Sequence, residues 1–147
     1  MRAAAQPPYF FYGTLMDADI RRIVLGPGAE SLHIEPAILS GYRRVRAVAG
    51  SYPILLRSPR GRLNGLLVHG IGALGSARLA HFEAAEYRLA SVTVRCSGRR
   101  REAARAFLPT RAVSGRSPWR FTEWQTRNKR QFLSRATAWM RRFEPPK

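Results

Sequence analysis

A single cysteine, Cys96, stands among 147 residues, so no intramolecular disulfide can staple the fold. A reducing, cytoplasmic setting is the default expectation for such a chain. Acid is scarce, with nine Asp and Glu against 26 Lys and Arg, and lysine occurs only as Lys129 and Lys147. No apolar run reaches the roughly 18 residues that a membrane-spanning helix needs. The opening stretch Met1–Pro8 lacks the apolar segment of a secretory signal, and residues 1–7 are expected to form a flexible tail. The three histidines, His33, His69 and His81, show no metal-ligand spacing, and no cysteine pair supports zinc, so no metal site is expected. Ser-His-acid arrangements, Walker motifs and nucleotide-binding glycine loops are absent as well.

What is present fits one globular domain, expected over 8–143: a length that buries most apolar surface and a hydrophobic fraction of 45%. The formal net charge is +17. Because the excess is almost all arginine, alongside abundant alanine, it reads first as the bias of a GC-rich coding sequence spread over a solvated surface. A specific nucleic-acid partner is not expected, although the same field attracts anions in general.

Along the chain, Tyr9-Phe10-Phe11-Tyr12 is strand material, and Asp17 is placed to N-cap a helix over 18–25 that Gly26-Pro27-Gly28 ends. Residues 36–48 read as a strand bent at Gly41, with a turn at Gly50-Ser51. Tyr52–Leu56 and Leu63–Val68 read as two further strands joined by a hairpin connection at Pro59–Arg62. Gly75-Ser76 opens a helix over 77–84, followed by a strand over 89–96 whose Ala90, Val92, Val94 and Cys96 share a face. Cys96 is thereby expected as a buried small apolar residue, not a nucleophile. A last strand covers 104–108. Ser117-Pro118 signals the start of one long amphipathic helix with Phe121, Trp124, Phe132 and Trp139 turned inward. Its basic residues, Arg127, Lys129, Arg130, Arg135, Arg141 and Arg142, are expected in solvent. The sum is one mixed α/β domain with mainly antiparallel strands.

Two segments carry chemistry. Phe11-Tyr12-Gly13-Thr14-Leu15-Met16-Asp17 is a strand that turns at glycine into a helix, which points backbone N–H groups outward and lets a ligand approach closely. Leu79–Arg88 holds Glu83 and Glu86 beside Phe82 and Tyr87, an apolar setting able to raise a carboxyl pKa toward neutrality. Either segment alone also reads as ordinary structure, a bend or an ion-paired glutamate.

Taken together, and followed in order by Leu39-Ser40-Gly41-Tyr42, Tyr52-Pro53, Asn64-Gly65-Leu66-Leu67, Phe82-Glu83-x-x-x-Tyr87 and Trp119…Trp124, they resemble the gamma-glutamylcyclotransferase superfamily in its avirulence-induced-gene-like branch. The resemblance spans roughly residues 10–132. It implies an α+β fold, a small, mainly antiparallel β-barrel flanked by helices, with one cavity and no cofactor. It implies an enzyme that is metal-independent and acts on a small gamma-glutamyl substrate. The free α-amine attacks its own γ-carbonyl, closing 5-oxoproline and expelling the attached amine or amino acid. Glu83 would be the catalytic acid/base, and Tyr12, Gly13, Thr14, Leu15 and Tyr52 would bind substrate. Glu86 is expected to point away or to pair with an arginine. The family has glycine where this chain has Ala84; a positive φ there would strain the alanine and shift Glu83, a negative φ would not. The alternative function is a non-catalytic module of the same fold that contacts RNA or acidic partners through its arginine surface.

Overall fold

The computed structural model describes residues 6–48, 52–110 and 115–146. Its five strands are β1 (Tyr9–Phe11), β2 (His33–Arg46), β3 (Pro53–His69), β4 (Tyr87–Arg95) and β5 (Arg101–Pro109). The four α-helices are α1 (Ala18–Leu25), α2 (Ala73–Glu83), α3 (Phe121–Arg127) and α4 (Lys129–Met140). The strands close into a barrel in the order β1-β3-β2-β4-β5, antiparallel throughout except where β1 meets β5 in parallel at Tyr9 and Arg105. This is the expected α+β barrel.

The aromatic run of β1 makes sense only in this setting. Side chains alternate across a strand, and β1 is covered on both faces. Phe10 and Tyr12 point into the barrel with Leu39, Leu67, Val94 and Ala106. Tyr9 and Phe11 point outward, under Ile20 and Val24 of α1, Leu79 of α2, Trp124 of α3 and Met140 of α4. Burying each such large apolar side chain stabilises by about 1.5–3 kcal/mol. The sequence-based face of β4 also holds, with Val94 and Cys96 buried and Leu89 left outside at 45% exposure.

The expected hairpin at Pro59–Arg62 is not formed. β3 runs unbroken from Pro53 to His69, antiparallel to β2 along its whole length. The turn-like residues instead make an irregularity: Ser40 pairs with Arg62 and Tyr42 with Arg57, so residues 58–61 bulge opposite Gly41, whose φ is 89°. A bulge of this kind bends a strand as a barrel wall must bend. Gly61 is required by proximity, since a Cβ there would collide with the Tyr42 carbonyl. The Gly50-Ser51 turn lies outside the described residues.

The first helix appears as expected. The Asp17 carboxylate accepts from the Asp19 and Ile20 amides, and Gly26 at φ 68° ends the helix. The C-terminal region differs from the expected single helix beginning at Pro118. Pro118 bridges to Val45, the Ser117 carbonyl accepts from the Arg46 amide at 2.8 Å, and the helix starts only at Phe121. It then breaks at Asn128 (φ −122°, ψ −20°) into α3 and α4. The break lets Lys129 turn inward instead of into solvent. Its Nζ reaches Asp17 at 2.9 Å and Asp19 at 2.7 Å. The arginines of the two helices are exposed as expected.

Candidate functional site

A cavity of about 420 Å³ opens beside the C-terminal end of β1. Its floor is the chain from Tyr12 to Leu15, and Glu83, Ala84, Glu86 and Tyr87 form one wall. Tyr52 and Pro53 stand on another, and Phe132, Arg135 and Trp139 of α4 close it. Every residue expected at the site therefore lines this one cavity.

The floor is a single 3₁₀ turn, Thr14–Met16. The Met16 and Asp17 amides close it by donating to the carbonyls of Gly13 and Thr14, both at 3.0 Å. Among the described residues, the Thr14 and Leu15 amides take no part in these closing bonds and can donate to a bound oxygen. Gly13 lines the cavity and is also required by packing. A Cβ at Gly13 would sit 2.7 Å from Cγ of Pro53, so the absent side chain seats the proline ring of the Tyr52-Pro53 pair. The Tyr12 hydroxyl is spent within the protein, donating to the Phe107 carbonyl at 2.6 Å. Burial, then the neighbouring Glu83, pushes that phenol well above its ordinary pKa.

Glu83 is the last residue of α2. Among the described residues, nothing hydrogen-bonds or ion-pairs with its carboxyl group. Burial is the cause that raises its pKa from 4.5 to about 8. Protein atoms enclose the group on most sides while its face toward the cavity stays open, which makes it partly accessible in area yet poorly solvated. Tyr87 is raised by burial first and by Glu83 second, so both phenols near the carboxyl remain neutral donors at physiological pH. Phe82 packs edge-on to Phe132, at 6.2 Å between ring centres, and supplies the apolar setting expected of it.

Glu86 pairs with no arginine among the described residues; it is exposed and is one of the residues lining the cavity. The 3₁₀ turn Ala84–Glu86 connects α2 to β4 between the two glutamates. Trp139, expected in the core, is 37% exposed. It stacks on His81 at 4.6 Å and donates from Nε1 to the His81 carbonyl at 2.9 Å, which ties α4 to α2 at the cavity. The α4 residues Phe132 and Arg135, and Phe107 of β5, belong to the site without any local signature in the sequence. Only the docking of α4 brings the first two there.

Ala84 sits at φ 58°, ψ −166°, a region populated almost only by glycine. Of the two possibilities raised by the sequence, the strained one holds. Ala84→Gly is expected to stabilise the fold by roughly 1 kcal/mol: about 1–3 kcal/mol of relieved strain, less the extra chain entropy of glycine. Urea unfolding checks this, and an equal or lower midpoint for the variant would show that the alanine is unstrained.

One group of residues could hold a metal ion, which the linear spacing of the histidines does not suggest. Glu35, His69 and Glu102 bring ligand atoms within 4.8 Å of one another on β2, β3 and β5. A guanidinium already occupies them: Arg100 Nη2 lies 2.8 Å from Glu35 and 3.3 Å from Glu102. His69 Nε2 is 2.9 Å from Glu35, completing a polar network that shares no described residue with the cavity. Cys96 is buried as expected, and burial pushes its thiol up.

Comparison with known proteins gives the same outline. A family model described as "Gamma-glutamyl cyclotransferase, AIG2-like" matches residues 9–126. The AIG2-like protein A of Arabidopsis thaliana is 26% identical over 130 residues, covering 84% of this chain and 75% of that protein. Protein AIG2 C of the same plant is 29% identical over 77 residues, and the match spans only 43% of its length. An Arabidopsis thaliana protein solved in solution superposes with a TM-score of 0.67 at 22% identity, covering 99% of this chain and 98% of that one. A structure titled gamma-glutamyl cyclotransferase gives 0.60 at 13% identity over 96% and 89% of the two chains. At such identities the likeness of structure is one of fold.

Proposed function

The chain belongs to the gamma-glutamyl cyclotransferase, AIG2-like family, and from that premise we propose that it cyclises a gamma-glutamyl group to 5-oxoproline with Glu83 as acid/base. One observation carries the reading: a carboxyl of raised pKa, unpaired among the described residues, shares a cavity with a 3₁₀ turn whose first backbone amides stay out of its closing bonds.

The substrate already contains its nucleophile, so the protein's first task is to fold the glutamyl chain until its α-amine meets the γ-carbonyl. The Thr14 and Leu15 amides hold an anionic or developing negative oxygen. The Glu83 carboxylate takes a proton from the α-ammonium and the freed amine attacks the γ-carbon; Glu83 passes that proton to the leaving nitrogen as its C–N bond breaks, and the attacking nitrogen gives up a second proton, which departs with the leaving amine as its ammonium. Atoms balance with nothing added: one amide bond forms, one breaks, and two protons pass from the α-nitrogen to the leaving nitrogen. The arriving ammonium itself favours the charged carboxylate, which draws the Glu83 pKa down as substrate binds. No step calls for a metal or an organic cofactor. Tyr52 contacts the substrate, and the distal amine faces Glu86 and Arg135, the two charged residues besides Glu83 among the described residues of the cavity lining.

Incubation of the protein with gamma-glutamyl dipeptides and gamma-glutamyl amines, followed by measurement of 5-oxoproline, tests the reading. Stoichiometric release of 5-oxoproline and free amine is the expected result. Tight binding of these compounds with no cyclised product would favour the non-catalytic module instead.

A further inference from the structure

A second hollow, of about 600 Å³, shares no lining residue with the Glu83 cavity. Four arginines line it, Arg43, Arg44, Arg62 and Arg116, together with Asn64 and Trp119, and the described lining contains no Asp or Glu. Arg43, Arg62 and Arg116 are exposed. Ion pairs among the described residues engage Arg22, Arg100 and Arg127 but none of these four.

Arg44 makes the hollow more than a patch of surface charge. Its Nη1 donates to the carbonyls of Tyr12 and Asn64, each at 2.9 Å, and its guanidinium lies 5.5 Å over the Trp119 ring. Its Nε is buried with no hydrogen-bond partner among the described residues. The guanidinium is thus fixed in place and partly desolvated, with only neutral dipoles to balance it, and burial lowers its pKa. A charge in that state is relieved by an anion nearby.

We propose that this hollow is a binding site for a small phosphate-chain anion, either an inorganic polyphosphate or the triphosphate of a nucleotide. Planar guanidinium forks match phosphate oxygens bidentately. Three exposed forks around a fixed fourth suit a ligand of several negative charges, and the hollow falls in the size range of small-molecule sites, well beyond a lone phosphate. A single-stranded nucleic acid is disfavoured, because such binding relies on open aromatic faces and Trp119 is 5% exposed beneath Arg44. The site also backs onto the substrate cavity through one side chain, since Arg44 grips the carbonyl of Tyr12 at the head of the 3₁₀ turn. The proposed binding is independent of any chemistry at Glu83.

Isothermal titration with inorganic triphosphate and with ATP at about 0.15 M salt tests the site in the full chain. Arg62→Ala with Arg116→Ala is compared against Arg130→Ala with Arg141→Ala, a control that removes the same charge from α4 and its C-terminal end. One triphosphate should bind per chain, and the first pair should weaken it at least about tenfold, the worth of roughly one charge-assisted contact, while the control stays within about twofold. Equal binding of both probes assigns recognition to the phosphate chain; tighter ATP binding assigns it to the nucleotide; both support the site. Equal losses in the two variant pairs, or several weak sites per chain, overturn it. So does a single-stranded RNA oligomer that binds and is not displaced by triphosphate.

Discussion

Glu83→Gln should lower the rate of 5-oxoproline formation by about 10²–10⁴-fold and, at alkaline pH, make the protein more stable. The first effect follows from the loss of the only carboxyl assigned to carry a proton. The second follows from linkage. An unfolded glutamate ionises near 4.5, whereas the folded Glu83 holds its proton up to about 8. Between those values the folded chain binds more protons than the unfolded one, so stability falls as pH rises from 4.5 to 8. The accumulated cost above pH 8 is on the order of a few kcal/mol, because the open face of the cavity admits some water. Glutamine has no charge to bury. The variant should therefore melt above the parent at pH 8–9 and together with it near pH 4. In the parent, kcat/KM should rise with pH to an inflection near 8, where an ordinary glutamate would give a plateau from about pH 6. Glu86→Gln serves as comparison, and its rate should stay within a few-fold. If Glu86→Gln is the inactive variant and Glu83→Gln is active, Glu86 carries the proton and Glu83 is not the acid/base.

Asp17→Ala is expected to cost roughly 3 kcal/mol of stability. Asp17 is 2% exposed, and both its oxygens are fully used. Oδ1 caps α1 through two amides, and Oδ2 accepts from Gln125 at 2.9 Å and pairs with Lys129 at the same distance. Loss of an N-cap costs about 1 kcal/mol, and stripping a partner from a partly buried lysine adds more. Burial works to raise the carboxyl pKa, but the bonds from Lys129, Gln125 and the Ile20 amide outweigh it and hold it below the ordinary range. The stability it supplies is therefore complete above about pH 4 and is lost as pH falls through the lowered folded value. Asp17→Asn, which keeps the cap and loses the ion pair, should fall between parent and alanine. Urea midpoints at pH 7 and pH 3 measure this. A similar loss for all variants at both values would mean that the charge of Asp17 has no part in holding α1 to the last two helices.

Much of the fold is legible in the sequence because short-range physics sets it. Asp17 followed by a helical stripe, glycines closing that helix, and period-two alternation over β4 are local patterns, and the structure keeps them. The motifs that draw Tyr12–Leu15, Tyr52 and Glu83 together name residues that do share a cavity. The departures come where distant contacts overrule local preference. Pro59 and Gly61 look like a turn, yet pairing with β2 on both sides of them holds the strand through. Ser117-Pro118 looks like a helix start, but the bridge to Val45 uses that backbone first. Lys129 looks like surface charge, and only the fold shows that two aspartates wait for it more than a hundred residues earlier. Phe132 and Arg135 reach the cavity from a helix whose docking no neighbouring residue announces.

The placement of β1 has a consequence for how the chain acquires its site. β1 leaves the ribosome before both strands it pairs with, since β3 and β5 are made later, with β5 about ninety residues on. The β2–β3 hairpin can form early from near neighbours, and β4 with β5 likewise. The barrel is sealed only when β1 slots between those two units and the Arg105 amide finds the Pro8 carbonyl at 2.8 Å. Until then Tyr9, Phe10 and Phe11 form an uncovered aromatic ribbon, the kind of surface that aggregates or engages chaperones. The same event brings the Tyr12 hydroxyl to Phe107 and so fixes the floor beneath Glu83. Barrel closure and assembly of the cavity are therefore one event, and a nascent chain halted before β5 would carry both signature motifs while having no cavity to put them in.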